Sequence, residues 1–158
     1  MTNNVEHLKF ENNGETFTRG TYNGISVIIH DKTGFINATE MCKQFNKKFR
    51  KIFENHAYQQ YFAAFKQEYS ARPEMGVQSD TEFLYQLNKG ISVSRNFLRG
   101  TYVDPRLINY IAIWASPQYA ILVGKIMDSI NEKIHNELTM KQLPDTPENT
   151  TPILNKEI

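Results

Sequence analysis

Two separated segments constrain the fold most, because each pairs the end of a strand with the start of a helix. The first, Gly34–Cys42, is Gly-Phe-Ile-Asn-Ala-Thr-Glu-Met-Cys, and the second, Arg99–Pro105, is Arg-Gly-Thr-Tyr-Val-Asp-Pro. In each, apolar or aromatic residues are followed by Asn or Asp, whose side chains accept hydrogen bonds from the first free N–H groups of a helix. We therefore predict an α+β fold, with small antiparallel β-hairpins and a helical bundle.

Length and composition favour one intracellular domain. The 158 residues suit one domain with a short tail, and a hydrophobic share of 40% is enough to bury a core. No apolar run approaches the roughly 20 residues of a membrane-spanning helix, and the start lacks the features of a signal peptide. Cys42 is the single cysteine, which excludes an internal disulfide and favours a reducing compartment. We expect no membrane partner.

Composition also divides the chain into three parts. Residues 1–16 are polar and hold few apolar anchors, so we expect a flexible N-terminal arm. Residues 141–158 contain three prolines among polar residues, which is typical of a disordered tail. The folded domain is then expected over residues 17–140.

The first half of this domain predicts a hairpin and two helices. The β-branched run Ile25–Ile29 and a turn ending at Gly34 predict a hairpin or a small meander over residues 21–36. Asn37 is placed to cap a short first helix, with Glu40 three residues later completing a capping box. Apolar residues at helical spacing continue over residues 49–69 and predict a second helix.

The second half predicts an irregular arm and two helices. Residues 83–87 fit a strand or a short helix, and periodicity leaves both open. Residues 91–103 read as a hairpin arm, and Asp-Pro at 104–105 and Ser-Pro at 116–117 each start a helix. An apolar stripe on the last helix either closes the core or forms a homodimer, and both options stay open. Its members are Leu122, Val123, Ile126, Met127, Ile130, Ile134 and Leu138.

Cations cluster beside the two segments although the formal net charge is only +1. No carboxylate interrupts residues 41–53, which carry five Lys or Arg side chains, and residues 88–103 carry three more without an acid. The small net charge argues mildly against a nucleic-acid partner, but the distribution of charge matters more than its sum. This pattern indicates a scaffold that presents cations to DNA from two elements.

The two segments, in this order and followed by Trp-Ala-Ser-Pro at 114–117, resemble the KilA-N domain of large DNA viruses, phages, bacteria and some eukaryotes. That domain is distantly similar to the APSES DNA-binding domain of fungal cell-cycle transcription factors. The resemblance spans roughly residues 21–134 and implies a winged-helix-like domain that binds double-stranded DNA in transcription regulation. It implies that a helix from about Lys47 is the recognition element and that residues 87–103 form the wing. For a viral protein, the host nucleus or a cytoplasmic viral factory is the expected location.

The predicted DNA contacts fall into two sets. On the recognition element, cations neutralise phosphates, and Asn55 or Arg50 reads a base edge. On the wing, the cations grip the flanking backbone or the minor groove, and Ser94 or Asn96 bonds a phosphate or a base edge. Bracing of the hairpin is the alternative for Arg99. The first set is Lys47, Lys48, Arg50, Lys51 and Asn55, and the second is Lys89, Ser94, Arg95, Asn96 and Arg99. Phe49, Ile52 and Phe53 are interpreted as core residues.

Two other functions were weighed. A protein-interaction or regulatory module on the same fold, without DNA binding, fits the modest net charge. An enzyme ranks third, because the sequence shows no cluster of catalytic carboxylates and no glycine-rich phosphate loop. The four histidines lack metal-ligand spacing, so we predict no catalytic, cofactor or metal residues.

Overall fold

The computed structural model describes residues 8–70 and 82–142. Its strands form one sheet in the order β1-β2-β3-β4-β6-β5, with every neighbouring pair antiparallel. The strands are β1 Leu8–Asn12, β2 Glu15–Tyr22, β3 Ile25–His30, β4 Phe35–Asn37, β5 Leu84–Leu87 and β6 Gly100–Val103. The α-helices are α1 Ala38–Lys43, α2 His56–Tyr69, α3 Pro105–Ala115 and α4 Pro117–Gln142, and 3₁₀ helices cover Phe49–Glu54 and Val93–Leu98. The predicted α+β class is confirmed. The chain divides into two compact units, up to Pro117 and from Gln118 onward.

The N-terminal part of the sheet is a three-stranded meander with two tight Asn-Gly turns. Asn13 and Gly14, and likewise Asn23 and Gly24, all have positive φ, as two-residue type I′ hairpin turns require. The first turn pairs Phe10 on β1 with Phe17 on β2. The predicted flexible arm is therefore wrong from Leu8 onward, because this turn pairs residues 8–12 into the sheet. Residues 1–7 lie outside the described part.

The two sequence segments contact each other at the centre of the fold. Asn37 is fully buried, and its Oδ1 accepts from the Glu40 N–H at 3.0 Å, which confirms the predicted N-cap. Its Nδ2 donates to the Arg99 carbonyl at 3.2 Å, and the Thr101 N–H donates to Thr39 Oγ1 at 3.0 Å. Gly100 has φ +150°, and a Cβ there would lie 2.5 Å from Asn37 Oδ1. Only glycine allows the two segments to approach this closely.

The core lies between the sheet and helices α1 and α3. Helix α1 packs on β3, β6 and α3, and α3 also packs on β4. The buried apolar side chains include Ile28, Ile36, Met41, Cys42, Val103, Leu107, Ile108 and Ile111. Burial raises the pKa of the Cys42 thiol to about 12, although Lys47 opposes the shift. Cys42 therefore stays a neutral packing residue near pH 7.

The predicted second helix is broken in the structure. A 3₁₀ helix covers Phe49–Glu54, and α2 starts only at His56. Between them Asn55 takes an extended conformation, and its Oδ1 accepts from the Tyr58 N–H at 2.8 Å. The pattern of apolar residues missed this break because Asn55 caps a new helix instead of continuing the old one.

The remaining elements follow the sequence more closely. Residues 84–87 form strand β5, so the strand is present and not the short helix that periodicity also allowed. The predicted arm is a hairpin of β5 and β6 that encloses the 3₁₀ helix Val93–Leu98. Asp104 caps α3, as predicted, with its Oδ1 accepting from the Arg106 N–H at 2.9 Å.

Helix α4 leaves its apolar stripe exposed. Ile126 is 38% exposed, Ile130 44% and Leu138 51%, so the stripe does not form a core in this structure. Within the described ranges no single helix is long and apolar enough to cross a membrane, whereas α3 and α4 taken together pass the same test of length and composition. The predicted tail lies outside the described residues from 143 onward, and the C-terminal limit of the domain at residue 140 stays a prediction.

Candidate nucleic-acid interface

A pocket of about 380 Å³ opens between α1, the 3₁₀ helix Phe49–Glu54 and the β5–β6 hairpin. Its lining combines cations, aromatic rings and small polar groups. The cations are Lys43, Lys47, Lys48 and Arg50, the rings are Phe49 and Phe53, and the polar side chains are Thr39, Gln86 and Thr101. We call this set the basic pocket.

A tight turn after α1 brings the cations to the basic pocket. The Phe45 and Lys47 N–H groups both donate to the Cys42 carbonyl, at 3.0 and 3.1 Å, so α1 ends after six residues. Asn46 then takes φ +58°, a left-handed conformation that Asn tolerates better than most residues. Phe49, which is 3% exposed, anchors the following 3₁₀ helix in the core. Lys47 and Lys48 therefore lie on a short connection between two fixed points.

The cations of this region differ in their partners. Lys43 Nζ lies 2.9 Å from Glu40 Oε2, and Lys51 Nζ lies 3.8 Å from Glu54 Oε2. Lys47 Nζ lies 5.1 Å from the centre of the Trp114 ring, a cation–π contact. Lys48 and Arg50 have no ion pair with any residue in 8–70 or 82–142. These two side chains are the charges best placed to bind an external anion.

The structure brings together part of the predicted recognition set. Lys47, Lys48 and Arg50 line the basic pocket, but Lys51 and Asn55 do not. Asn55 already uses its Oδ1 to cap α2. Arg50 lies in a 3₁₀ helix, and the two lysines precede it, so the predicted α-helical recognition element starting near Lys47 is absent here.

Six of the nine residues that line the basic pocket were not predicted as site residues, and one of these six, Phe49, is a buried core residue as predicted. Lys43 was counted in the charge cluster but not assigned to the site. Phe53 was taken as core, yet it is 40% exposed. Nothing in the sequence marked Thr39, Gln86 and Thr101 as site residues, because only the packing of α1 against the β5–β6 hairpin brings them together. Gln86 and Thr101 are direct cross-strand partners in that hairpin.

In the wing, two of the three predicted cations make contacts within the protein. Arg99 Nη1 donates to the Asn88 carbonyl at 2.5 Å, and its Nε donates to Asn96 Oδ1 at 3.1 Å. Arg99 thus braces the hairpin, which was the alternative prediction for this residue. It also occupies the acceptor oxygen of the Asn96 side chain. The Arg95 guanidinium lies 5.4 Å from the centre of the Phe10 ring.

The other two wing candidates lie on exposed segments. Lys89 is exposed in the turn after β5, and no ion pair holds it within the described part of the chain. Ser94 is also exposed, with its hydroxyl 3.3 Å from that of Ser92. Of the wing residues, Lys89 therefore resembles Lys48 and Arg50 most closely.

The histidines and carboxylates of residues 8–70 and 82–142 do not build a second site. His30 is buried, where it contacts Tyr85 OH and lies 2.6 Å from Glu15 Oε1, so it joins β3 to β2 and β5. Among the described residues no group of three or more His, Cys, Asp or Glu side chains could hold a metal ion. The chemistry available at the basic pocket is binding through charge, aromatic surface and hydrogen bonds.

Comparison with known proteins identifies the family. The sequence matches the KilA-N domain family over residues 20–133. Two KilA-N domain-containing proteins of Acanthamoeba polyphaga mimivirus are 31% identical over 131 residues and 32% identical over 112 residues, which cover 83% and 71% of this chain. The chain spans 27% of the length of each. No solved structure matches it. With a family match over most of its length, the chain belongs to the KilA-N domain family.

Proposed function

We propose that this protein is a non-enzymatic, intracellular DNA-binding protein with a regulatory role, and that it contacts double-stranded DNA through the rim of the basic pocket. The observation that carries this proposal is that Lys48 and Arg50, on an acid-free stretch next to two further cations, form no ion pair with any residue that the structure describes. Membership of the KilA-N family supports the same conclusion. The host nucleus or a cytoplasmic viral factory is the proposed location.

Phosphate neutralisation supplies the affinity in this proposal. Lys48 and Arg50 bind phosphates directly, and Arg50 is suited to a bidentate contact with two phosphate oxygens. Lys43 and Lys47 lie beside them, and because both lysines are exposed, they exchange their contacts with Glu40 and Trp114 for a phosphate at small cost. Lys51 lies outside the pocket and contacts the flanking backbone. We assign Asn55 to stabilisation of α2 rather than to base reading, because its acceptor oxygen is in use.

The wing contributes less charge than its sequence suggests. Lys89 contacts a phosphate, whereas Arg95 and Arg99 chiefly hold the hairpin in shape. Ser94 and Asn96 lie on the same exposed segment, and the Ser94 hydroxyl and the Asn96 Nδ2 group donate hydrogen bonds to the DNA backbone, while the Asn96 Oδ1 atom stays bonded to Arg99.

The experiment is a salt titration of duplex binding with wild type and a Lys48→Ala/Arg50→Ala variant. Each phosphate contact contributes about 0.9 to the slope of log affinity against log salt. The double variant should therefore lower the slope by nearly two and weaken binding to all sequences. Lys133→Ala, an exposed lysine on α4, is the matched control and should behave as wild type.

A contrary result would favour the interaction module. Binding that does not depend on salt, or a double variant that binds as wild type, would overturn the assignment of the basic pocket. The absence of duplex binding by wild type would overturn the proposed function itself.

The exposed stripe of α4 supports a second proposal, a homodimer. Leu122, Ile126, Ile130, Ile134 and Leu138 recur every four residues and form one continuous ridge. Two identical ridges of this kind interdigitate when the helices cross at about −50°, and a two-fold axis brings the same surface of both copies together. Sedimentation of wild type and Ile130→Asp tests this, because the charge should abolish a dimer without disturbing an exposed helix. A wild type that stays monomeric at high concentration would overturn it.

A further inference from the structure

We infer that the basic pocket takes one unstacked nucleotide of the bound DNA, with its base on Phe53 and its phosphate on the cationic rim. This inference rests on the DNA-binding function proposed above and adds the chemical class of the group that enters the pocket. An unstacked nucleotide is one that is bulged, flipped or at a frayed position, so that its base is free of the duplex stack.

The concave shape of the basic pocket favours an extruded base over a stacked base pair. Elements that read the major groove of a duplex are convex, such as an α-helix that projects into the groove. Here the cations surround a concavity, and the helix that carries Arg50 has only six residues. The volume of about 380 Å³ lies in the range of roughly 300–1,000 Å³ that is usual for small-ligand pockets. A stacked base pair cannot reach into such a pocket, whereas a single extruded base can.

The exposed ring of Phe53 also favours the binding of a nucleotide base. Phe53 is 40% exposed, although two aromatic side chains pack against its ring. Its ring makes edge-to-face contacts with Phe49 at 5.3 Å and with Tyr58 at 5.7 Å between centres. A ring that is fixed on two sides and exposed to a pocket is a platform for stacking, and every nucleobase has a π-face to place on it.

Polar groups at the wall can meet the edge of the base. Gln86 is exposed, and its amide offers both donors and an acceptor, of which the acceptor receives only a long 3.4 Å bond from Asn88. Thr101 lies directly opposite Gln86 across the hairpin. Thr39 Oγ1 accepts from the Thr101 N–H and keeps its own hydroxyl proton to donate. These groups are the hydrogen-bonding complement of a base edge.

The cations complete the site. Lys48 and Arg50 line the same pocket as Phe53, so a phosphate and the base attached to it can contact the pocket together. Neither cation must break an ion pair with a described residue to do so. The pocket thus presents charge, aromatic surface and hydrogen bonds, which are the recognition elements of a nucleotide.

The experiment compares two duplexes that differ by one bulged nucleotide, with the full chain as the protein. Wild type should bind the bulged duplex about tenfold more tightly than the perfect one, because stacking of one base adds that much affinity. A 2-aminopurine placed in the bulge should lose fluorescence on binding as it stacks on Phe53. A third duplex, with an abasic bulge, has the same flexible backbone but no base, and it should bind as weakly as the perfect duplex.

Variants connect the effect to the pocket. Phe53→Leu keeps the apolar contacts with Phe49 and Tyr58 but removes the stacking platform, so it should lose most of the preference for the bulge. Gln86→Ala lies on an exposed strand position, and it should reduce the preference without changing the salt slope. Tyr69→Leu replaces another exposed aromatic residue, outside the pocket, and should keep the full preference.

The outcomes separate this inference from the proposed function. Salt-dependent binding with equal affinity for perfect and bulged duplexes would overturn the nucleotide site and leave DNA binding intact. A preference that persists with the abasic bulge or in both pocket variants would show a response to DNA flexibility, and it would also overturn the site. If no duplex binds, both proposals fall.

Discussion

Helices α3 and α4 follow one another in the chain and have similar sequence signatures, yet they use their apolar residues differently. Both begin with proline and both carry an apolar stripe at helical spacing. In α3 the stripe is buried, with Leu107, Ile108 and Ile111 fully inaccessible, whereas in α4 Ile126 and Ile130 are about two-fifths exposed. Periodicity predicts a helix and its apolar face, but it does not predict what covers that face.

The largest effect should come from the buried stripe. Ile108→Ala in α3 should lower the free energy of unfolding by about 2–5 kcal/mol, because it removes apolar contacts and leaves a cavity. Urea denaturation at low protein concentration measures this. A loss below about 1 kcal/mol would mean that the core around α3 collapses to fill the space, and would weaken the contrast with α4.

The start of α3 should contribute a smaller amount. Asp104→Ala removes the N-cap and an ion pair to Arg106 at 2.8 Å, so it should cost about 1 kcal/mol. Thermal unfolding measures the loss. Because asparagine caps as well as aspartate, Asp104→Asn should restore most of it, and an equal loss in both variants would assign the effect to the ion pair.

Acid should remove part of the same contribution. Burial raises the pKa of the Asp104 carboxyl, but hydrogen bonds and charge from Arg106 together lower it below the ordinary 3.8. A carboxyl with a lowered folded-state pKa adds stability above its unfolded pKa, and this is lost as the pH falls through the folded value. The difference in stability between wild type and Asp104→Asn should therefore shrink between pH 5 and pH 2. A constant difference across this window would contradict the assignment.

The smallest effect should come from the exposed stripe. Ile130→Ala in α4 should change the stability of the dilute protein by less than about 0.5 kcal/mol, since the side chain is 44% exposed and alanine favours helix. Urea denaturation alongside Ile108→Ala provides the comparison. A loss as large as that of Ile108→Ala would show that α4 is covered in solution and would remove the difference between the two helices. Repeating the measurement at high concentration tests the proposed homodimer, because its stability must rise with concentration.

The parts of the fold that could be predicted are those that adjacent residues decide. Asn37 and Asp104 cap helices because an Asn or Asp side chain reaches an N–H only two or three residues away. The turn that ends at Gly34 and its flanking strands were predicted for the same reason. The Asn13-Gly14 turn could have been predicted from those two residues alone. The prediction of a flexible arm was wrong because it relied on the polarity of residues 1–16 and overlooked this turn-forming pair.

The candidate site was only partly predictable. The sequence located Lys47, Lys48 and Arg50, since an acid-free run of cations is visible without a structure. It could not rank them, because Trp114 reaches Lys47 only in the folded chain. Likewise, the sequence left Arg99 open between a DNA contact and bracing of the hairpin, and the structure places its guanidinium on Asn88 and Asn96.

The sequence alone determined the local chemistry of this protein: its class, its caps, its tight turns and the position of its positive charge. Tertiary structure decided which apolar stripe is buried and which wing cations bind within the protein. It also placed Phe53, Gln86 and Thr101 around one pocket. The physical reason is one of range. A cap or a turn is satisfied within a few residues, whereas the burial of a helix face and the lining of a pocket depend on groups that only folding brings into contact.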